Sequence, residues 1–401
     1  MSTNPRELVL IGNFPPDRQE SMLRFTELIA GQFAARGWTV DTWSPRPRFA
    51  RWGGTYRYGG LPKYLGYLDK FVVFPRQVKH RLRLAKRSTV FHITDHSNAV
   101  YAPLFEGRAL LLTCHDLLQV RSALGEFPRH RVSRSGQKYQ QWILRHLAGL
   151  RRAICVSDKT RQDLCRLTGL SPAAAPVVYM GLNYPYAPLA RDVAESAVLE
   201  LMARAGLMKS RATQLLADGF WVGIGGAQWY KNRPGLLRIV AELRKRGTGP
   251  QRLVFVGSPW VEEEKEVLRD AGLADDVLRL QGVSNEGLRA LYSIGRALIF
   301  PSWEEGFGWP IAEAQACGCP VFTSDRAPMT EVGGAAARYI DPADPAAAAE
   351  RILNHLPELP ALSRSGLESA ARWSTGRMIQ EYEDQYLGAV QESAVLAAVG
   401  T

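Results

Sequence analysis

Short apolar runs alternate with longer amphipathic stretches along most of this chain. In the first half, the runs that predict buried strands lie at residues 7–12, 38–43, 90–93, 109–113, 153–156 and 177–179. In the second half, they lie at residues 220–224, 252–256, 277–280, 297–300 and 321–323. The stretches between them have the length and apolar spacing of helices. This alternation predicts parallel sheets covered by helices on both faces.

The alternation is interrupted once, and the interruption divides the chain. Residues 186–219 predict a helical connecting segment between an N-terminal domain at residues 1–185 and a second domain at residues 220–374. We expect a last helix, at about residues 375–401, to pack back on the first domain. The predicted fold is α/β, with two facing Rossmann-like domains and a cleft between them. Because ligands bind at the carboxyl ends of the strands in such sheets, the loops after strands should carry the chemistry.

Positive charge is concentrated in the first half of the chain. The net charge is +11, yet residues 1–190 contain 28 Lys and Arg against 12 Asp and Glu, whereas residues 191–401 contain 22 against 27. Residues 46–87 alone hold 12 basic residues and one acid, Asp69. Such an excess predicts an anionic partner, which could be nucleic acid, a membrane surface or a phosphate-bearing substrate.

Composition excludes several other classes of protein. Hydrophobic residues make up 46% and charged residues 22%, near the globular average, so a disordered or collagen-like chain is excluded. No apolar run reaches the roughly 18–20 residues that span a bilayer, and the N-terminus lacks the pattern of a secretory signal. Five cysteines without a C-x-x-C pair indicate reduced thiols rather than disulfides or a zinc site. We therefore expect a cytoplasmic protein.

The loop after the fourth predicted strand of the second half carries the strongest chemical signal. Gly306 and Gly308 let the backbone approach a ligand closely, and Pro310 suits the first turn of a helix, whose free N–H groups form an anion site. Glu305 and Glu313 would repel a phosphate. We therefore expect these carboxylates to accept hydrogen bonds from the neutral hydroxyls of a sugar or ribose.

The sequence from Glu305 to Glu313, E-G-F-G-W-P-I-A-E, resembles the E-x7-E element of the family 4 glycosyltransferases. The resemblance implies a retaining enzyme with two facing α/β domains, the GT-B arrangement. It implies that Glu305 contacts the transferred sugar and that Glu313 holds the ribose of the donor nucleotide. Gly306 and the backbone amides of Phe307 and Gly308 would also reach the sugar.

A second element follows the family's order. Residues 222–232, V-G-I-G-G-A-Q-W-Y-K-N, resemble the family's strand–Gly–loop–Lys-Asn element. The resemblance places Gly225 and Gly226 at the donor and implies that Lys231 neutralises its diphosphate. Gly226 stands where the family commonly has an Arg. Part of that neutralisation should therefore come from backbone amides or from the other domain, where Arg18 is a candidate.

The base of the nucleotide is expected at a third element. Residues 280–285, L-Q-G-V-S-N, resemble the family segment whose backbone contacts the base, here at Gly282 and Val283. Backbone contacts do not reveal the base, so the donor could be a UDP-sugar or a GDP-sugar.

In the first half, T-C-H-D-L at residues 113–117 resembles the family's His-Asp at a strand end. The resemblance implies that His115 faces the transferred sugar and the acceptor, with Asp116 beside it. Asn13 and Arg18 lie on the loop after the first predicted strand and are assigned to the acceptor side. The implied catalytic residues are Lys231, Glu305 and His115.

Competing classes lack their motifs. No G-x-G-x-x-G follows the first strand, and no G-x-x-x-x-G-K-[ST] occurs, so a dehydrogenase and a P-loop enzyme are rejected. A basic nucleic-acid-binding protein remains the alternative, because aromatic residues that could stack on bases interleave with the cations of residues 46–87. These aromatics are Phe49, Trp52, Tyr56, Tyr58, Tyr64, Tyr67, Phe71 and Phe74. No recognition module accompanies them, and we expect no nucleic acid.

An anionic membrane surface is the favoured partner of residues 46–87. A helix that begins at Pro75 would place apolar and basic residues on opposite sides. The apolar side would contain Phe74, Val78, Leu82 and Ala85, and the basic side Arg76, Lys79, Arg83 and Lys86.

The sequence thus predicts a retaining glycosyltransferase that moves a sugar from a nucleotide diphosphate to a hydroxyl acceptor. We expect a lipid-linked acceptor in bacterial polysaccharide or glycolipid assembly, with the enzyme peripheral on the inner membrane face. Because the sequence has no D-x-D, we expect neither a metal nor another cofactor, and Lys231 with helix N-termini would neutralise the diphosphate.

Overall fold

The computed structural model describes residues 6–53, 60–128 and 130–399. The contacts divide the chain into two compact units. The first contains residues 1–183 and 375–401, and the second contains residues 184–374. Both units are α/β, which confirms the predicted fold class.

The first unit contains a parallel five-stranded sheet. Its strands are β1 (Glu7–Ile11), β2 (Thr39–Trp43), β3 (Val90–Ile93), β4 (Ala109–Cys114) and β5 (Ile154–Cys155). Their order is β2-β1-β3-β4-β5. Strand β2 therefore pairs with one side of β1, and β3, which follows it in the chain, pairs with the other side. This reversal between β1 and β3 opens a crevice at the carboxyl edge of the sheet. Residues 177–179, expected as a strand, contribute only the single bridge from Val177 to Cys155.

In the described part of the unit, six α-helices accompany this sheet before the chain leaves it. They are α1 (Glu20–Ala35), α2 (Gly60–Leu68), α3 (Phe74–Leu82), α4 (Leu118–Ala123), α5 (Arg134–Ala148) and α6 (Asp158–Thr168). Helix α6 is capped by Ser157, whose side chain accepts a hydrogen bond from the backbone N–H of Thr160 at 3.1 Å.

The basic segment folds differently from its sequence prediction. A π-helical turn at Asp69–Val73 joins α2 to α3, so helical structure runs from Gly60 to Leu82. The apolar side that we assigned to a membrane faces the protein instead. Phe74 and Val78 are buried in the core beneath the sheet, and Leu82 packs partly against it. That assignment is wrong, because α3 has to cover the sheet.

The second unit contains a parallel six-stranded sheet. Its strands are β6 (Trp221–Gly225), β7 (Leu253–Gly257), β8 (Val277–Leu280), β9 (Ala297–Phe300), β10 (Val321–Ser324) and β11 (Ala337–Ile340). The order is β11-β10-β9-β6-β7-β8, with the chain reversing direction across the sheet between β6 and β9. The sequence pattern missed β11, since its short A-R-Y-I run is half polar.

The helices of the second unit lie before, between and after these strands. They are α7 (Arg191–Arg204), α8 (Lys209–Asp218), α9 (Arg233–Arg246), α10 (Glu262–Asp270), α11 (Asn285–Ile294), α12 (Trp309–Ala316), α13 (Met329–Gly333), α14 (Pro345–Asn354) and α15 (Leu359–Ala370). Residues 186–219, expected as a connecting segment, pack on this unit. The Ser293 side chain accepts a hydrogen bond from the Leu189 N–H, and Arg289 donates to the Ala187 carbonyl. Among the described residues, no helix has the length and apolar content needed to cross a membrane.

The C-terminal helix α16 (Thr375–Val399) completes the first unit through a buried polar network. His92 on β3 hydrogen-bonds with the Tyr386 hydroxyl through Nδ1 at 2.7 Å and with the Thr113 hydroxyl through Nε2 at 2.8 Å. Thr113 in turn contacts the Tyr382 hydroxyl at 3.0 Å. Burial, followed by the charge of His115, lowers the pKa of His92 to about 3. His92 is therefore neutral in the folded protein.

This pKa predicts a pH dependence of stability. Unfolded His92 takes up a proton below its ordinary pKa of about 6.5, whereas folded His92 does so only near 3, so stability falls as the pH drops through that interval. Between about pH 7.5 and 5.5, His92 should account for about 1.4 kcal/mol of lost unfolding free energy. Denaturant unfolding measures the unfolding free energy at both pH values. The difference between the two values should be smaller by this amount in His92→Gln than in the wild type. An unchanged difference in the variant would contradict the prediction.

Candidate active site

The chain's reversal in the second unit brings two predicted loops together. Strands β6 and β9 are neighbours, and the loops that follow them leave the same carboxyl edge in opposite directions. Sheets of this topology bind ligands there, because backbone N–H groups and helix starts converge on the crevice. The loop after β6 carries Lys231, and the loop after β9 carries Glu305.

Several contacts join these two loops, and three of them involve the described residues Trp303, Asn232 and Lys231. The Trp303 N–H donates to the Tyr230 carbonyl at 2.7 Å. The Asn232 side chain donates to the Pro301 carbonyl at 2.9 Å, while its own backbone is left-handed with φ 50°. The third contact is an ion pair, in which the Lys231 ammonium lies 2.7 and 2.9 Å from the two carboxylate oxygens of Glu305. The sequence predicted a common site for both side chains but not their direct pairing.

The ion pair is largely shielded from solvent. Side-chain exposure is 17% for Lys231 and 7% for Glu305, and the ammonium also lies near the rings of Tyr230 and Phe300. A buried charge without its partner is strongly unfavourable, so each of these two groups depends on the other. A diphosphate that binds Lys231 must compete with Glu305 for the ammonium.

Glycines give these groups room. A Cβ on Gly225 would lie 3.3 Å from the Cβ of Lys231, so a side chain there would press on the lysine. A Cβ on Gly226 would collide with the Gln228 amide. Gly226 stands where an arginine was expected, and among the described residues the ion pair at this loop is that of Lys231 with Glu305.

Helix α12 begins at the same edge. Gly308 caps it with φ 97°, a left-handed backbone conformation that favours glycine, and Pro310 occupies its first turn. Phe307 is buried with its ring edge-on to Trp373 at 5.3 Å, which fixes the loop that also contains Gly306. The start of this eight-residue helix, next to Glu305, carries the positive end of the helix dipole.

Glu313 lies one turn further along α12 and is 7% exposed. Its carboxylate accepts a hydrogen bond from the Tyr292 hydroxyl at 3.3 Å. Burial, with the charge of Glu313 as the second cause, raises the pKa of Tyr292 well above its usual value. Tyr292 therefore stays protonated and acts as a donor toward Glu313.

The residues expected at the base follow β8. Gly282 has φ 66° and is exposed, and Val283 is half-buried against the start of α11. Ser284 caps that helix by accepting a hydrogen bond from the Gly287 N–H at 3.2 Å. A left-handed Gly282 turns the backbone outward from the strand end, which exposes polar backbone groups at this position.

A buried arginine near the site was missed by the sequence analysis. Arg233, the first residue of α9, is 2% exposed and pairs with Glu264 at 2.6 Å. It also donates to the Ser258 hydroxyl at 2.9 Å and stacks on Trp260. These contacts tie the helix that follows Lys231 to the loop after β7. The sequence shows both charges, but nothing in it indicates their pairing.

The first unit has its own polar cluster, where β1 and β3 end. The Asn13 amide donates to Asp95 at 2.5 Å and also to Gln19, and it accepts from Asn98 at 2.7 Å. His96 lies 3.1 Å from Asp95. Asn13 was a predicted site residue, whereas the other members were missed. The signal was present, since T-D-H-S-N directly follows the predicted strand at residues 90–93.

Charges within this cluster stabilise one another. Burial alone raises the pKa of Asp95, but the neighbouring His96, the charge of His115 and the Ser97 hydrogen bond hold it below its usual range. Burial lowers the pKa of His96, yet the charge of Asp95 outweighs burial and raises it. The buried Asp95 carboxylate and the His96 ring thus favour each other's charged form.

His115 follows β4 at the same edge and is 5% exposed. Its Nε2 lies 2.9 Å from the Thr94 carbonyl, which can only accept, so Nε2 carries the proton and Nδ1 is an acceptor. Burial lowers the pKa of His115 despite the charge of Asp95, so the ring is neutral. Asp116 accepts from the Leu118 N–H at 3.0 Å and caps the start of α4.

Arg18 ends the loop after β1. It is exposed, and its backbone is left-handed with φ 51°. Within the described ranges, no three His, Cys, Asp or Glu side chains are grouped as metal ligands.

Two family models match the chain. The model described as "Glycosyltransferase Family 4" matches residues 23–184, and "Glycosyl transferases group 1" matches residues 218–365. Together they cover about three quarters of the chain, one in each half. The chain belongs to the family 4 glycosyltransferases, a family of sugar-transferring enzymes.

Curated relatives carry glycosyltransferase names. O-antigen chain mannosyltransferase B of Escherichia coli is 30% identical over 205 residues, which is 51% of each chain. D-inositol 3-phosphate glycosyltransferase of Salinispora tropica is 27% identical over 308 residues, 71% of this chain and 60% of the relative. The chain thus spans about half to three fifths of the length of these relatives.

Solved structures share the fold along the whole chain. HepE of Anabaena in complex with UDP and glucose has a TM-score of 0.66 at 14% identity, covering 94% of this chain and 98% of its own. Sucrose-phosphate synthase of Thermosynechococcus elongatus has a TM-score of 0.66 at 17% identity, covering 98% and 100%. The fold is therefore that of the GT-B glycosyltransferases.

The Lys231–Glu305 pair predicts a coupling that thermal or denaturant unfolding can measure. Lys231→Met should lower the unfolding free energy by about 1–3 kcal/mol, because Glu305 then keeps a buried charge without its partner. Adding Glu305→Gln should recover part of that loss, so the effects of the two changes should not add.

An exposed pair on α9 provides the control. Lys245→Met breaks the contact with Glu242, in which the lysine is 70% exposed, and should change stability by less than about 0.5 kcal/mol. Additive effects at Lys231 and Glu305 would show that the two charges do not interact in solution.

Proposed function

We propose that this protein transfers a sugar from a nucleotide-diphosphate donor to a hydroxyl acceptor with retention of the anomeric configuration. The observation that carries the proposal is the Lys231–Glu305 ion pair at the point where β6 and β9 diverge. It brings together a cation for a diphosphate and a carboxylate for sugar hydroxyls. Membership of the family supports the same assignment.

On donor binding, Lys231 exchanges its partner Glu305 for the diphosphate. The diphosphate takes the Lys231 ammonium, and the released Glu305 carboxylate accepts hydrogen bonds from the sugar hydroxyls. The N–H groups at Phe307 and Gly308, at the start of α12, add positive potential toward the leaving phosphate. We propose that these groups serve without a metal.

Two further groups hold the nucleotide. Glu313 accepts hydrogen bonds from the ribose hydroxyls, with Tyr292 holding its carboxylate in place. The backbone of Gly282 and Val283 meets the base. A uridine or guanosine nucleotide fits both contacts. The UDP bound in the similar HepE structure supports a uridine nucleotide. The mannosyltransferase names of relatives support the transfer of a hexose.

The chemical step requires no nucleophile from the protein. The bond between the anomeric carbon and the diphosphate oxygen breaks, and the acceptor oxygen bonds to the same face of that carbon. The leaving phosphate oxygen takes the acceptor proton. Neutral His115, whose Nδ1 is an acceptor, orients a substrate hydroxyl in the first unit, beside Asn13 and Asp95.

The acceptor is proposed to be lipid-linked, at an anionic membrane, in polysaccharide or glycolipid assembly. The support is the positive charge of the first half of the chain and the O-antigen mannosyltransferases among its relatives. The enzyme would then be peripheral on the membrane that carries the acceptor.

Lys231→Ala tests the diphosphate assignment. Losing one charge-assisted partner should weaken UDP or GDP binding by about 1.5–3 kcal/mol, roughly tenfold to more than a hundredfold. Calorimetry on the folded variant measures this, and Lys245→Ala on the far surface serves as the control. Unaltered affinity in the Lys231 variant would refute the assignment.

Changes at Glu305 and at Glu313 should affect different steps, turnover and nucleotide binding respectively. Glu313→Gln should lower the affinity for the nucleotide diphosphate about tenfold or more, because it removes a charged acceptor from the ribose. Glu305→Gln should not lower that affinity, because it removes the carboxylate that competes with the diphosphate for Lys231. It should lower turnover, because the hydrogen bonds of Glu305 go to the sugar. Calorimetry with UDP and GDP, combined with donor turnover, distinguishes the roles. Equal losses of nucleotide affinity would show that the assigned roles are wrong.

A further inference from the structure

Large apolar side chains on the surface are concentrated in the basic segment. Among the described residues, twelve such side chains are clearly exposed, and six of them fall between positions 52 and 84. These six are Trp52, Leu61, Tyr64, Leu68, Val72 and Leu84, with exposures from 39% to 80%. The predicted aromatics Tyr56 and Tyr58 lie outside the described residues.

Four of these side chains form one helical stripe. Leu61, Tyr64, Leu68 and Val72 are spaced by three, four and four residues along α2 and the π-turn, so they share a face. The opposite face is the buried one: Gly66, Asp69, Lys70, Phe74 and Val78. The helix therefore covers the core with one side and presents apolar side chains to solvent with the other.

The same outer face becomes basic along the next helix. Arg76, Lys79 and Arg83 continue it, and within the described part of the chain no acidic side chain pairs with them. Asp69, the one acid of residues 46–87, does not neutralise these cations at the surface. Asp69 is 1% exposed, and its carboxylate accepts three backbone N–H groups at residues 48–50.

This surface is attached to the loop after β1. Buried Lys70 pairs with Asp17 on that loop at 2.7 Å, and the Tyr101 hydroxyl donates to the Lys70 carbonyl. The loop also carries Asn13 and Arg18. The helix that carries the stripe is therefore anchored, through its buried face, to the loop that leads into the polar cluster of the first unit.

We propose that the stripe of Leu61, Tyr64, Leu68 and Val72 inserts into an anionic lipid leaflet, while Arg76, Lys79 and Arg83 contact its headgroups. This proposal deepens the lipid-linked acceptor of the proposed function and rests on it. A leaflet accommodates aliphatic side chains and cations side by side. A nucleic acid does not, since Leu61, Leu68 and Val72 have no ring on which a base can stack.

The test measures co-sedimentation with vesicles of equal parts phosphatidylglycerol and phosphatidylcholine, and with phosphatidylcholine alone. The wild type should bind the anionic vesicles, and binding should fall as salt rises from about 0.1 to 1 M, since the Debye length shrinks from about 10 to 3 Å. Leu61→Ser/Leu68→Ser/Val72→Ser should lower the affinity about tenfold or more. Arg76→Ser/Lys79→Ser/Arg83→Ser should do the same.

A matched control removes exposed apolar side chains from the second unit. Val193→Ser/Met208→Ser/Leu367→Ser should bind vesicles like the wild type. The nine positions that are changed in these three triple variants are all exposed. Thermal unfolding should therefore show that each variant is folded. If the stripe variant binds like the wild type, or the protein binds a single-stranded oligonucleotide and no vesicle, the proposal is overturned.

Nucleotide binding separates this proposal from the proposed function. UDP or GDP affinity in calorimetry should be equal in the wild type and the stripe variant. Nucleotide binding without vesicle binding would overturn the docking surface and leave the donor site standing. Vesicle binding without nucleotide binding would support the surface and overturn the proposed function.

Discussion

Parallel pairing of the strands places every carboxyl end of a sheet at one edge. In each unit the chain then reverses across the sheet, between β1 and β3 in the first and between β6 and β9 in the second. The reversal separates two loops just enough for a ligand to reach backbone N–H groups, whereas elsewhere neighbouring connections close over the edge. The polar cluster at Asp95 and the ion pair at Lys231 both lie at such positions, although no sequence motif joins them.

The Lys231–Glu305 ion pair gives the proposed donor site a defined arrangement without ligand. Two charges shielded from solvent are stable only together, and so the loops after β6 and β9 are held in position before a substrate arrives. In the proposed donor binding, exchange of the lysine from carboxylate to diphosphate would replace one ion pair by another and would release the carboxylate for the sugar.

Charge and burial are distributed for different reasons in the basic segment. Its single acid, Asp69, satisfies three backbone N–H groups inside the protein, so it cannot neutralise the surface cations. Phe74 and Val78 of α3 are buried because the sheet has to be covered, whereas Leu61, Tyr64, Leu68 and Val72 of α2 and the π-turn remain exposed. Amphipathic spacing alone gives two candidate faces, and only packing decides which one meets solvent.

The sequence by itself determined the α/β class, ten of the eleven strands to within a residue or two, and the loops with Lys231, Glu305 and Glu313. These features depend on local periodicity and on short motifs, which neighbouring residues specify. The tertiary structure alone decided the pairing of Lys231 with Glu305, the Arg233–Glu264 contact, the Asp95–His96 cluster and the outward face of the basic helix. The two ion pairs join residues far apart in the chain, the Asp95–His96 cluster is completed by the distant Asn13, and the outward face depends on which side of a helix the core covers. Local sequence does not specify contacts between distant residues or the direction of the core.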